Sequence, residues 1–547
     1  MAASLQSVER VTRRLTAPRV KQEPSKTKGL MADSTVKVEI GSGPTSGSAF
    51  AERGLLTEIE RLIAQVRDLY RADGIPWVVG YSGGKDSTAT LQLVWTALGS
   101  LPAEERHKRV YVITNDTLVE NPAVAAWVHR SHQAMEQAAA HQGLPISTHM
   151  LSPKVAETFW VNLIGRGYPA PNRRFRWCTE RMKINPTTRF IRSVVKDNGE
   201  AIIVLGARRA ESAARAARID RFDRQSVRDH LSPHSDLASA LVYKPIVDWT
   251  NDDVWLYLMQ TPNPWAFDNK QLLTMYRTAS PDAECPVVVD TSTPSCGNSR
   301  FGCWTCTVVD KDKSMAAMIH NDTEKEWMQP LLEVRDQIAD AAEGRTLRDF
   351  RRLNGRVSLY DGQHVPGPYT QEGRAHWLRL VLEAQTWVRS HGPEDVREIE
   401  LITMDELHEI RKIWVADKHE HEDLLPSIYK EATGQSFPGQ ARFDEQFPFQ
   451  GEDLGELRNL CRSDLQYELV RELISVEHSH RIAARRSGLW NDIETAFDRS
   501  GYESPEEAID LMRALTRGRE AVGAGTRIDF DASLNEASQS HAGTESA

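Results

Sequence analysis

The run Val78-Val-Gly-Tyr-Ser82-Gly-Gly-Lys-Asp-Ser-Thr88 joins an apolar stretch to a helical one through two glycines, a lysine, an aspartate and flanking serines. These residue types in this order suit phosphate binding. Gly83 and Gly84 let the backbone turn sharply and come close to a ligand. The N–H groups at the helix start, with Ser82 and Ser87, form a nest for phosphate oxygens. Lys85 adds a mobile positive charge, and Asp86 either orients it or helps to hold Mg2+. The spacing differs from the Gly-x-x-x-x-Gly-Lys-Ser/Thr of P-loop nucleotidases, and an ordinary glycine-rich turn is the alternative reading. Asp116 follows the next apolar run and is a candidate contact for magnesium or nucleotide. A helix cap or Asx-turn accounts for it equally well.

A second set of reactive side chains is soft. The cysteines are Cys178, Cys285, Cys296, Cys303, Cys306 and Cys461, four of them within 22 residues. Cys303-Trp-Thr-Cys306 can place two thiolates on one metal centre, and Cys296-Gly-Asn-Ser-Arg-Phe-Gly precedes it with glycines that let backbone wrap a compact core. Four thiolates suit either zinc or an iron–sulfur cluster, which spacing alone does not separate. Cys461 sits in a helical neighbourhood and reads as a small buried group.

Positive charge is concentrated between these two motifs. From Pro171 to His230 there are fifteen Lys or Arg against seven Asp or Glu, in a chain whose overall net charge is -10. Arg173, Arg174 and Arg176 precede Cys178, Arg181 and Lys183 follow it, and Arg208 and Arg209 end the fourth apolar run. ATP alone needs about two or three cations, so this excess invites a larger anion such as a nucleic-acid backbone. Arg215, Arg218, Arg221 and Arg224 recur every three residues and, with intervening acids, also read as salt-bridge lacing. Asp252 and Asp253 read as the start of a helix rather than as chemistry.

The elements that must position these groups follow from periodicity. Ile75 to Tyr81, Val110 to Thr114, Ile146 to Leu151 and Ala201 to Gly206 read as buried strands alternating with helices, which predicts an α/β fold with a mostly parallel sheet covered on both faces. Residues at the carboxyl ends of neighbouring strands then share one crevice. From about Asp310 onward helical spacing dominates, over Glu324 to Glu343, His376 to His391, Thr403 to Lys418 and Glu468 to Arg486, with no second run of strands. The expected division is a flexible N-terminal tail (1–49), a nucleotide-binding domain bearing the metal site (50–310), a mainly helical domain (311–522) and a flexible tail (523–547). A chain of 547 residues with 40% apolar content can bury a sizeable core. Six cysteines are too few for a disulfide scaffold, and no stretch approaches the ~20 apolar residues of a membrane span. The expectation is a cytoplasmic protein with no membrane partner.

The phosphate loop resembles the PP-loop of the ATP pyrophosphatase superfamily (adenine nucleotide alpha hydrolase-like), whose members cleave ATP between the α and β phosphates. The resemblance implies that Ser82, Gly83, Gly84, Lys85, Asp86, Ser87 and Asp116 bind ATP and Mg2+, with Lys85, Asp86 and Arg208 in the chemistry. Over roughly residues 75 to 310 the chain is similar to the phosphoadenosine phosphosulfate reductase branch. The matching pieces are Trp177-Cys-Thr-Glu-Arg-Met-Lys-Ile-Asn-Pro186, Val204-Leu-Gly-Ala-Arg-Arg-Ala-Glu-Ser212, Tyr243-Lys-Pro-Ile-Val-Asp-Trp-Thr-Asn-Asp-Asp-Val-Trp255 and Gly302-Cys-Trp-Thr-Cys-Thr307. Cluster-bearing members hold a [4Fe–4S] centre with a Cys-Cys pair ahead of Lys-x-x-Pro and a later Cys-x-x-Cys. Carried over, Cys178 stands for one of the first pair and Cys303 and Cys306 for the second. Only one cysteine occupies the first position, so Cys296 is expected as the fourth ligand, with Cys285 its rival and a local set of Cys285, Cys296, Cys303 and Cys306 the alternative. The reductases also use a reactive cysteine near the C-terminus. None follows Cys461, so sulfonucleotide reduction is not expected.

With its helical extension, the chain resembles the DndC family of sulfurtransferases in bacterial DNA phosphorothioation, most specifically in Thr114-Asn-Asp-Thr-Leu-Val-Glu-Asn-Pro122 and Ser295-Cys-Gly-Asn-Ser-Arg-Phe-Gly-Cys-Trp-Thr-Cys306. That resemblance implies an enzyme of restriction–modification that adenylates a DNA backbone phosphate and inserts sulfur. Its implied partners are DNA, a cysteine desulfurase as sulfur donor, an ATPase subunit and a small DNA-binding protein. A tRNA thiolase of the same superfamily and a non-enzymatic, zinc-containing DNA-binding subunit are the alternatives.

Overall fold

The computed structural model describes residues 47–226, 228–280, 301–439, 451–481 and 486–521. Cys285, Cys296 and both expected tails, except the last few residues of the first, lie outside these. The described chain divides into two compact units. The first takes residues up to 344 together with 371–413 and 424–438, and the second takes 345–370, 414–423 and the remainder from 439.

In the first unit, the four apolar runs become β1 (Trp77–Gly80), β2 (Val110–Asn115), β3 (Ile146–Leu151) and β4 (Ala201–Val204). Two short strands extend the sheet, β5 (Leu231–Pro233) and β6 (Ala240–Tyr243), giving the order β3-β2-β1-β4-β6-β5. All neighbours run parallel except β5, which is antiparallel to β6 at the edge. Parallel strands must be covered on both faces, and the side chains of β1 show this by alternation. Trp77 and Val79 enter a core with Val66, Leu91 and Trp95, while Val78 enters another with Ile191, Val194 and Ile203. Helices α1 (Leu55–Arg71), α2 (Lys85–Gly99), α3 (Pro122–Gln142), α4 (Asn185–Asn198), α5 (Ala213–Asp223), α6 (Asn251–Gln260) and α7 (Asn269–Thr278) make the crossovers and coverings.

Strand β1 lies between β2 and β4, and the chain builds outward from it first to one side and then to the other. This reversal opens a crevice beyond the carboxyl end of β1, where the phosphate loop sits. Asp253 closes a capping box with Thr250 at the start of α6 and also binds Ser48 and Ala49, so its role is structural as expected.

The region beyond residue 310 is helical, as its spacing predicts, with helices at Lys313–Asn321, Gln329–Ala339, Gln371–His391, Met404–Lys412, Leu424–Thr433 and Asp464–Arg481. The second unit adds one hairpin, Ser358–Tyr360 with Gln363–Val365, which the sequence reading did not expect. Its turn is Asp361-Gly362, both at positive φ, the geometry Asp-Gly favours. Among the described residues no helix is long and apolar enough to cross a membrane.

Candidate functional site

The phosphate loop is held by packing that only glycine permits. Gly83 has φ +73°, and a Cβ there would stand 2.5 Å from the Val128 methyl. Trp127 Nε1 donates to the Gly83 carbonyl at 3.1 Å, fixing the turn against α3. Ser87 Oγ accepts from Ser82 N (3.2 Å) and donates to the Gly84 carbonyl (2.9 Å), so the loop is cross-linked by its own serines. Helix α2 starts with no side-chain cap, which leaves its first turn suited to an anion.

Charge is arranged around Asp86. Its carboxylate takes Lys85 Nζ at 3.0 Å and Arg208 Nε at 2.7 Å, which is the orienting role among the two expected of it. Arg208 is buried and also donates to the Trp249 carbonyl at 3.2 Å. Gly206 makes this approach feasible, because a Cβ there would lie 2.7 Å from the Asp86 carbonyl oxygen. Arg209 does not join them. It is taken up by Asp220, Asp223 and Asp248, a correction to the expectation that both arginines converge beside the nucleotide. Arg215 pairs with Glu211 just ahead of α5, whereas Arg218 and Arg221 lie over the Phe222 ring and Arg224 Nε donates to the Asp220 carbonyl at 3.3 Å.

Asp116 accepts from Leu118 N at 2.9 Å, forming the Asx-turn anticipated for it, and it also lines a cavity of about 270 Å³. Ser82, Asn115, Glu120, Lys183 and Phe301 line the same cavity. Lys183 reaches Glu120 at 3.6 Å. Glu120 in turn pairs with Cys303 in an antiparallel bridge, flanked by Trp304 N donating to the Val119 carbonyl (2.9 Å) and Asn121 N donating to Gly302 (3.3 Å). The segment carrying Cys303 therefore lies along the chain leaving β2, at the same sheet edge as the phosphate loop.

Cys303 Sγ lies 3.3 Å from Thr117 Oγ1. Burial, with the Glu120 carboxylate adding to it, pushes the Cys303 thiol up to about 12, and Lys183 opposes the shift. Cys178, in the turn following the buried Trp177, is also pushed up by burial, with the Cys306 thiol adding to the effect and Lys183 again opposing. Lys183 is pushed up, chiefly by Cys303 in its thiolate form and then by the Glu120 carboxylate, with burial opposing. While the thiol is protonated, Glu120 is the partner that favours its charge. Two of the expected ligands, Cys178 and Cys303, thus come within electrostatic reach of one lysine, and Cys306 within reach of both thiols. Their donor type suits a soft metal centre, and the described residues alone do not complete one. Among them, no group of three or more His, Cys, Asp or Glu side chains stands ready to hold a metal ion. Cys461 is half-buried in the second unit, rather than fully buried as expected.

Two supporting residues escaped the sequence reading. Arg335, fully buried, donates Nε to the Cys306 carbonyl at 3.0 Å, Nη1 to Asp310 at 2.9 Å, and Nη2 to Val309. Tyr276 places its hydroxyl 3.3 Å from Lys85 N. Each sits in an amphipathic helix where its type carries no special signal. On the outer side, Thr307 Oγ1 donates to the Pro171 carbonyl at 2.6 Å, tying the cysteine turn to the exposed Arg173, Arg174 and Arg176.

Residues 76–309 match the phosphoadenosine phosphosulfate reductase domain family. An uncharacterized protein of Methanocaldococcus jannaschii is 28% identical over 216 residues, 39% of this chain and 38% of the length of that relative. Among solved structures, phosphoadenylyl-sulfate reductase from Candida auris in a phosphate complex is 13% identical, with a TM-score of 0.24, over 38% of this chain and 86% of its own. A U34-tRNA thiolase of Methanococcus maripaludis, solved with its [4Fe–4S] cluster, is likewise 13% identical, with a TM-score of 0.26, over 53% of this chain and 78% of its own. By the family match, residues 76–309 carry a phosphoadenosine phosphosulfate reductase-like domain.

Proposed function

We propose that the protein is an ATP-dependent sulfurtransferase of the DndC type, which adenylates a DNA backbone phosphate and replaces one of its oxygens with sulfur. The observation that carries this reading is the meeting of the phosphate loop, Lys183 and the Cys303 segment around one cavity at the carboxyl edge of the sheet. A phosphate oxygen is a poor leaving group until it is activated. A non-bridging oxygen of DNA attacks the α phosphorus of ATP, the α–β bond breaks, and pyrophosphate departs. The terminal sulfur of a donor persulfide then attacks the DNA phosphorus, and the former non-bridging oxygen leaves with AMP. A second thiol cleaves the S–S bond to free the phosphorothioate, ending as a disulfide with the donor cysteine.

Each described group has a role in these steps. The start of α2, where Gly84 supplies no side-chain cap, stabilises the charge building on the departing pyrophosphate together with Lys85 and Arg208 oriented by Asp86. Lys183 lines the cavity beside Glu120 and steadies an anionic acceptor there. Arg173, Arg174 and Arg176 hold the nucleic-acid backbone beside the site. Cys178, Cys303 and Cys306, with a fourth thiol from Cys296 or its rival Cys285, would hold a [4Fe–4S] cluster, which supplies a soft, sulfur-tolerant centre when bound.

Incubation of the protein with DNA and ATP tests the reading. AMP and pyrophosphate are the expected products, and ADP in their place would overturn α–β cleavage. Stimulation by tRNA but not by DNA would transfer the chemistry to a tRNA thiolase. Iron, sulfide and zinc assayed on anaerobically purified protein decide the metal, and zinc alone would favour the non-enzymatic DNA-binding alternative. Lys85→Ala should abolish turnover and leave the cluster chromophore, whereas Cys303→Ser should bleach it.

A further inference from the structure

Tyr276 belongs to α7, close to 200 residues along the chain from the phosphate loop, yet its hydroxyl accepts the Lys85 N–H at 3.3 Å. A Cβ on Gly84 would lie 3.2 Å from the same oxygen, so the loop is closed tightly over it. The Lys85 ammonium stands 5.6 Å from the Tyr276 ring centroid. The hydroxyl is buried, which holds the phenol well above its usual range and so protonated. Having accepted one hydrogen bond, it keeps its own proton to donate. A phosphate oxygen seated in the loop is an acceptor of the kind such a nest gathers.

The ring also meets the chain segment that carries Cys303. Trp255 supports it at 5.1 Å in an edge-to-face contact, and Phe301 meets it at 4.5 Å and 80°. Phe301 lines the cavity that also holds Ser82 and Lys183, and it is two residues from Cys303. The intervening Gly302 is pinned through its carbonyl to Asn121 N. An aromatic pair therefore spans the distance between the nucleotide loop and the segment carrying Cys303.

We infer that Tyr276 is a positioning residue that seats the phosphate loop through its hydroxyl and, through the edge of Phe301, ties occupancy of the loop to the placement of the Cys303 segment. Nucleotide arriving at Lys85 draws on the hydroxyl. The ring then shifts or stiffens against Phe301, and the Cys303 turn is held more firmly when ATP is present. Such a link delays exposure of sulfur chemistry until the acceptor can be activated. The inference rests on the proposal that ATP binds at Ser82–Ser87.

The test uses the full chain, with two readouts: the KM for ATP in pyrophosphate release, and hydrogen–deuterium exchange of the 301–307 segment with and without ATP. In the wild type, ATP slows exchange in this segment. Tyr276→Phe keeps the ring and loses the hydroxyl, so the KM should rise about 3- to 10-fold, the range of one neutral hydrogen bond, with kcat little changed. Even at saturating ATP its 301–307 segment should respond less than in the wild type, because the nucleotide no longer has a hydroxyl to draw on. Tyr276→Leu and Phe301→Leu should each lose the response of 301–307 to ATP. A wild-type KM in Tyr276→Phe, or an undiminished response in both leucine variants, overturns the inference. Wild-type protein that binds ATP without a change in 301–307 overturns the link alone. Wild-type protein that neither binds ATP nor releases pyrophosphate removes the functional reading as well.

Discussion

Arg208 makes two contacts that a lysine cannot reproduce together. Its Nε holds Asp86 while Nη1 holds the Trp249 carbonyl, and the side chain is only 4% exposed. A guanidinium presents donors in a fixed fork, whereas an ammonium is a single point charge. Arg208→Lys should therefore keep the net charge and lose the geometry. Asp86 would then be shared with a displaced ammonium, and Lys85 would no longer be aimed from a fixed carboxylate. Pyrophosphate release should fall about 10- to 100-fold, the scale of one misplaced electrostatic group in a site of this kind. The fall should appear mainly in kcat, because the loop backbone that holds the ground state is untouched. Steady-state kinetics at saturating ATP checks this, and a variant within twofold of wild type would show that Arg208 serves only to pack Trp249 against the loop.

Helix Gln329–Ala339 shapes the site without contributing a reacting group. Arg335 projects from it to gather the carbonyls of Cys306, Val309 and Asp310, so the cysteine turn keeps its form by accepting from one buried guanidinium. Arg335→Met retains much of the volume and leaves those carbonyls without their donor. At about 1–3 kcal/mol for each buried polar group left unpaired, a loss of about 3 kcal/mol or more is expected in urea denaturation. The chromophore should weaken while ATP cleavage persists, and an unchanged absorption spectrum would sink the idea. Strands β1 to β4 were legible in sequence because each is a continuous apolar run in a doubly covered sheet. Strands β5 and β6 were not, since runs of three and four residues carry no period. The Asp361-Gly362 hairpin offered a turn signal but flanking strands too short to support it. The pairing of Cys303 with Glu120, the reach of Arg335 and the seat of Tyr276 are contacts between distant parts of the chain, which no local pattern encodes. The phosphate loop was readable because its chemistry is confined to six consecutive residues, Ser82 to Ser87.

Across the whole molecule, buried neutral histidines set the response to acid. Burial, chiefly, lowers His132 and His376 in the first unit and His419 in the second to about 4, against a reference value of 6.5. The sign follows from proton binding. Between pH 6.5 and about 4 the unfolded chain takes up a proton at each site that the folded chain refuses. The stability these residues contribute is therefore complete above pH 6.5 and is lost as the pH falls toward 4. For one histidine the loss is on the order of 3 kcal/mol. Buried carboxylates such as Glu406, whose pKa burial raises, shift the balance the other way, so the wild-type curve alone does not isolate the effect. His132 does, because its surroundings lead to the site. Its ring nitrogen Nε2 lies 2.8 Å from Thr114 Oγ1, and that hydroxyl donates to the Tyr81 carbonyl at 2.6 Å, one residue before Ser82. With the Thr114 proton spent on Tyr81, Nε2–H is the donor to Thr114, and charging the ring adds a proton on its other nitrogen in a buried setting. His132→Gln keeps a donor of similar reach and removes the titration. Thermal denaturation of both proteins at pH 7 and pH 4.5 should show the wild type losing more stability than the variant, by several degrees. Pyrophosphate release should also fall away with acid at a lower pH in His132→Gln than in the wild type. Equal losses in the two proteins would mean that His132 is solvated in the folded state and that the acid sensitivity of the loop comes from elsewhere.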